Sequence, residues 1–349
     1  MDHKNLKTVL SLFVIVLIFT LAGCVNVSIK TDVGGIYKSK DSGETWTKKR
    51  AVLNILEKQE FLENVNINVF AVDPQDPRTL YVGTKAKGLF VSYDKGEKWH
   101  NIERLPQGSI SSIKVNPVKK HVVYIGINKS LLKTSDALRT WESVYVDDKQ
   151  TKDKITEIFV DPLYPNRVYV GFSDGRVIKS KNEGASWSLL KSFNRKIVKI
   201  YRSIKSNKIF IATENNLFYS GDEQEEWTKM ENLDDKMQKD IQNVLFKDDQ
   251  FILVLTKYNI YKTENSGSSW EKLELLLPAG SRDRSDLKAL AFAPSDVNIL
   301  YYVTNNTLYK SRNGGEDWIT RDLDISGAPI DIFVYPQDSE IIYLAITKK

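Results

Sequence analysis

The 349-residue sequence predicts an all-β chain, a seven-bladed β-propeller of four-stranded antiparallel blades closed by pairing of its N- and C-terminal strands. Three observations predict it. All seven Trp residues fall in one eight-residue pattern. Their spacings of 53, 42, 46, 40, 43 and 48 residues match the length of one blade. The chain also begins and ends on complementary halves of the repeat.

The pattern reads hydroxyl-x-Asx-x-Gly-x-x-Trp. Its first copy runs from Ser39 through Asp41 and Gly43 to Trp46. The other six carry the Asx–Trp pairs Asp94–Trp99, Asp136–Trp141, Asn182–Trp187, Asp222–Trp227, Asn265–Trp270 and Asn313–Trp318. Gly is replaced only by Leu138 and Gln224. An Asx side chain accepts hydrogen bonds from backbone N–H groups of a tight turn, and Gly supplies the positive φ that closes it. A Trp buries about 150–250 Å² against its surroundings. The motif resembles the Asp-box, or BNR repeat, and the resemblance spans essentially the whole chain after the N-terminal 23 residues. Its physics makes it a fold staple rather than a catalytic site.

Between the boxes lies a second element: an apolar strand, a turn often carrying Pro, and an aromatic-rich strand. Val69–Val72, Asp73-Pro74 and Leu80–Gly83 form one copy; Ile158–Val160, Asp161-Pro162 and Val168–Gly171 form another. Weaker copies reach their second strand at Tyr124, Phe210, Leu253, Tyr301 and Tyr343. A third strand such as Gly88–Val91 then leads into the box. Four short strands per period, rich in Val, Ile and Tyr, read as an antiparallel blade. Residues 35–46 are a box half without its first two strands, and residues 330–346 are a strand-pair half without its box. Combining them completes the seventh blade and removes the open edges.

The N-terminus predicts an address. Lys4 and Lys7 precede the apolar run Val9–Ala22, which is short for a membrane span and suits a secretory signal. Leu21-Ala22-Gly23-Cys24 resembles the bacterial lipobox, in which Cys24, the only Cys, becomes the lipidated N-terminal residue. The expected divisions are a signal peptide over 1–23, a lipid-anchored linker over 24–34 and the propeller over 35–349. The expected location is the extracytoplasmic face of a bacterial cell membrane, with two or more acyl chains needed for stable anchoring.

Both repeated turns, the box and the Pro turn, emerge on one rim of such a ring. The opposite rim is built from connectors between blades, the longest over 51–66, 146–155, 231–241 and 275–286, and function concentrates on variable loops held by a rigid scaffold. Residues 51–66 fit either a short helix or an extended loop. Candidate partner-binding residues on that rim are Lys149, Lys152, Lys154, Arg195, Arg282 and Arg284, interleaved with acids including Asp147. Glu157, Lys199 and Asp331 fall on first strands, where they either approach the central channel or form ion pairs between blades.

Other chemistry is not encoded. The net charge of +5 is spread along the chain, so no nucleic-acid footprint stands out. There is no Cys/His cluster for zinc and no phosphate-loop or dinucleotide glycine pattern, so no metal and no cofactor is expected. Sialidases share the Asp-box, but the nearest approach to their Phe/Tyr-Arg-Ile-Pro signature is Tyr201-Arg202-Ser203-Ile204, without the Pro. Together with the anchor, the chain most resembles lipoproteins of the photosystem II stability/assembly factor type, with sortilin-type and sialidase propellers more distant. That resemblance implies a monomeric, non-enzymatic scaffold for a protein partner, in particular a membrane or envelope protein. The competing expectation is a propeller that binds or hydrolyses a glycan.

Overall fold

The computed structural model describes residues 34–49, 52–53, 65–147, 152–221, 226–232, 240–276 and 287–348. Among them every regular element is a strand, and they form seven sheets, antiparallel apart from one added strand. Cys24, Lys149, Asp222, Arg282 and Arg284 lie outside the described residues.

The first strands of the blades are Ile67–Val72, Ile110–Val115, Ile155–Val160, Ile197–Arg202, Ile241–Phe246, Ala289–Ala293 and Ala328–Val334. Each packs against the first strand of the next blade, and the seventh packs against the first, which closes the ring. Second strands sit in the middle of each sheet with neighbours on both sides. Val168–Phe172, for example, is buried along its whole length, which is why Val-Tyr-Val-Gly-Phe reads as an uninterrupted apolar run. The aromatic or Leu residue that marks these strands is buried in all seven blades, at Tyr81, Tyr124, Tyr169, Phe210, Leu253, Tyr301 and Tyr343.

Closure is direct. Gly35–Ser39 pairs antiparallel with Ile342–Thr347, in a register from Gly35 opposite Ile346 to Ser39 opposite Ile342. The seventh sheet therefore takes two strands from each end of the chain. The first blade gains a fifth strand: Val52–Leu53 runs parallel to the outer strand Trp99–Ile102, with Val52 opposite Trp99. Residues 52–53 belong to the connector 51–66, for which helix and extended loop were both open, and these two are extended; residues 54–64 lie outside the described residues.

The box geometry is the same wherever it is described. In the first copy the Ser39 hydroxyl donates to Asp41 Oδ1 (2.6 Å) and accepts from Gly43 N–H (2.8 Å), while Asp41 Oδ1 also accepts from Thr45 N–H (2.9 Å). The hydroxyl at position one is thus the hub of the turn, a role beyond the Asx–Gly chemistry expected of the motif. Positions four and five both take positive φ, at Ser42 and Gly43 in the first copy. Leu138 adopts φ 71° where five other boxes have Gly, and its side chain joins the core. A Cβ on Gly315 would come within 2.8 Å of Leu273 in the preceding blade, so Gly there is also a matter of space.

The box Trp residues rivet neighbouring blades together. Trp187 Nε1 donates to Val144 O (2.8 Å) and Trp318 Nε1 to Glu274 O (3.0 Å), each on the preceding blade. Blade-to-blade ion pairs accompany them, as in Lys38 with Glu97 at 2.8 Å. Box turns also bond to the Pro turn of their own blade, as Lys95 N–H to Arg78 O and Glu183 N–H to Asn166 O, so both repeated turns share one rim as expected.

Candidate functional site

Six first strands, all but that of the sixth blade, carry a register shift at the same step: Ile67/Val69, Ile110/Ser112, Ile155/Glu157, Ile197/Lys199, Ile241/Asn243 and Pro329/Asp331. A β-bulge re-aims the residue that follows it. Here it helps to turn Val69, Ser112, Glu157, Lys199, Asn243 and Asp331 toward the axis, where all six line a central cavity of about 560 Å³. The channel wall is two-sided. Ser112, Lys114, Glu157, Lys199, Asn243 and Asp331 supply polar groups, and Val69, Ala71, Leu245, Phe292 and Phe333 supply apolar surface.

The charged groups share one cluster. Glu157 Oε1 lies 3.8 Å from Lys114 Nζ and 3.7 Å from Lys199 Nζ, on the blades to either side. Both alternatives for Glu157 and Lys199 hold together: they reach the channel and they pair between blades. Lys114 was not singled out by sequence because it sits in an ordinary alternating strand, Ile-Ser-Ser-Ile-Lys-Val. Glu157 pulls its pKa up, but burial and Lys199 outweigh that and leave it lowered.

Burial pushes the Asp331 carboxyl up to about 6, against the pull of Lys199, the Ile332 N–H and Lys114. Its ordinary value is 3.8, so between those two values the native state binds more proton than the unfolded chain. Stability from this group is therefore gained as pH falls through about 6 and lost as it rises. Asp331→Asn is expected to raise stability by about 1–3 kcal/mol at pH 7.5, allowing for solvent in the channel, with the gain shrinking toward pH 4.5. Urea melts at the two pH values check this; a gain independent of pH would remove the assignment.

On the connector rim, Lys154 and Arg195 stand on either side of one turn in the third blade, residues 173–175. Lys154 O accepts from Ser173 N–H. A Cβ on Gly175, which has φ 91°, would meet Arg195 N at 2.4 Å. Lys152, Lys154, Arg195 and Lys196 are all exposed there. Asp147, one of the acids interleaved with the basic connector residues, is buried: Arg176 Nη2 donates to it at 2.6 Å while Arg176 Nε donates to Asp174. Arg176 belongs to the third strand, away from the connector, so the pair is not legible along the chain.

Arg202, the arginine of the sialidase-like tetrapeptide, is also buried. Its guanidinium donates to Asp161 Oδ2 (2.6 Å), the Tyr169 hydroxyl (3.1 Å) and Asn207 O (2.9 Å). Those bonds tie the third and fourth blades together and account for the Arg structurally.

Comparison with known proteins follows this architecture. The Sortilin-Vps10 model, described as sortilin, neurotensin receptor 3, matches residues 87–216. A probable oligoxyloglucan-reducing end-specific xyloglucanase of Neosartorya fischeri is 28% identical over 123 residues, covering 33% of this chain and 15% of that protein. The chain thus spans less than a fifth of that relative's length. A structure of YCF48 bound to D1 peptide superposes with a TM-score of 0.60 at 16% identity, covering 81% of this chain and 94% of that one. The GH74 xyloglucanase from Xanthomonas campestris superposes with a TM-score of 0.66 at 18% identity, covering 87% and 54%. Together with the closed ring of seven sheets, these likenesses show that the chain has the fold of a seven-bladed β-propeller.

Proposed function

We propose that this protein is a lipid-anchored, extracytoplasmic propeller that binds a protein partner, in particular a membrane or envelope protein, and performs no chemistry of its own. The observation that carries the reading is the breadth of the match to a peptide-binding propeller. The chain corresponds to 94% of the YCF48 structure, solved with D1 peptide, but to only 54% of the GH74 enzyme. Cys24 is the proposed lipidation site, with the first 23 residues as its signal. The exposed basic group of Lys152, Lys154 and Arg195 is the part of the proposed partner face that the described residues contain. Lys149, Arg282 and Arg284 are proposed to extend it.

Capture of partners from solubilised membranes tests the reading. The wild-type protein is expected in the membrane fraction with a protein partner, and Cys24→Ser is expected in the soluble fraction. Charge reversal by Lys154→Glu with Arg195→Glu is expected to weaken capture about tenfold or more, while the melting temperature stays within a few degrees because both side chains are exposed. Undiminished capture would remove this rim from consideration. Xyloglucanase similarity favours a second reading, a glycan-binding or glycan-hydrolysing propeller. Saturable binding or cleavage of xyloglucan oligosaccharides, with no protein captured, would put that reading first.

A further inference from the structure

We propose that the central channel binds a small zwitterion of the amino-acid class, with its ammonium and carboxylate held by the charged arc and its side chain against the apolar wall. The site is independent of the partner face on the connector rim.

The first observation is an unpaired acceptor. Glu157 is only 8% exposed, it lines the cavity, and its buried Oε1 has no hydrogen-bond partner. Buried polar atoms are almost always satisfied, so this atom is where a donor belongs. The two ammonium groups beside it stand at 3.8 and 3.7 Å, too far to donate to it. They contribute field without satisfying the atom, and both lysines line the same cavity.

The second observation is the balance of charge. Two cations, Lys114 and Lys199, alternate around Glu157, and Asp331 lines the same cavity from the seventh blade. The four formal charges cancel. A simple anion is drawn by the lysines but repelled by Glu157 and Asp331, and a simple cation meets the reverse. A molecule carrying both signs on neighbouring atoms satisfies all four groups. Charge-assisted hydrogen bonds in a site of low dielectric outweigh neutral ones, which favours a zwitterion over a sugar hydroxyl.

The third observation is shape. A cavity of about 560 Å³ lies within the usual range for small-ligand sites, and Val69, Leu245 and Phe292 provide an apolar surface for a side chain.

Equilibrium dialysis of the full chain at pH 7 tests the proposal with labelled L-leucine, acetate, methylammonium and glucose as separate probes. Leucine is expected to bind saturably, in the millimolar range or tighter, with acetate and methylammonium each about tenfold or more weaker. Glu157→Gln and, separately, Lys199→Met are expected to weaken leucine binding about tenfold or more while circular dichroism melts confirm folding. Absence of saturable leucine binding would overturn the proposal. So would unchanged affinity in both folded variants, or glucose binding in preference to leucine.

Discussion

Removal of residues 341–349 is expected to abolish the cooperative thermal transition of the entire propeller. The deleted strand supplies Ile342, Tyr343, Leu344, Ala345 and Ile346, each no more than 2% exposed. It is also the second strand of the seventh blade, pairing with Gly35–Ser39 on one side and Ala328–Val334 on the other. Burial of four large apolar side chains contributes on the order of 1.5–3 kcal/mol each, about as much as the net stability of a typical domain. The loss does not stop at one blade, because Tyr343 Oη also donates to Lys95 O in the first blade's box. Differential scanning calorimetry checks the outcome, and adding a peptide of residues 339–349 in trans is expected to restore the transition. A truncated protein that melts at the full-length midpoint would show that the ring does not depend on this closure.

The second large effect separates two residues that the repeat makes equivalent. Trp99→Ala is expected to cost about 3–5 kcal/mol, the usual range for emptying a fully buried aromatic site. Trp141→Ala is expected to cost less than half as much. Trp99 is completely buried and its Nε1 donates to Gly96 O at 3.1 Å. Trp141 is only partly buried and its Nε1 has no partner. Val52–Leu53 pairs along the strand that Trp99 begins, whereas the outer strand of the second blade, Glu142–Val146, has no fifth neighbour among the described residues. Urea denaturation followed by far-ultraviolet circular dichroism measures both. Equal losses would mean that the box alone, not its neighbours, sets the energy.

Much of the fold was legible because its information is local and repeated. Ser-x-Asp-x-Gly-x-x-Trp specifies a turn whose Ser and Asp side-chain hydrogen bonds fall within four residues, so each copy can be read without knowing its surroundings. The half-repeats at the two ends required closure once blades of four strands were assumed, and the pairing of Gly35–Ser39 with Ile342–Thr347 follows from that. The shared rim of boxes and Pro turns came from strand order alone.

What the chain by itself determined, then, was the number of blades, the order of strands and the closure of the ring. The tertiary structure decided which charges stand free and which are consumed. Arg202 carries a suggestive tetrapeptide yet bonds to Asp161 and Tyr169, 41 and 33 residues away. Asp147 sits in a charged connector yet is held by Arg176 from 29 residues further on. Lys114, Glu157, Lys199 and Asp331 meet only because bulges and ring closure bring four blades to one axis. A turn is selected by neighbours along the chain, so its signature is written there. A charge cluster is selected by neighbours in space, and the distances that govern its electrostatics exist only after the blades have packed.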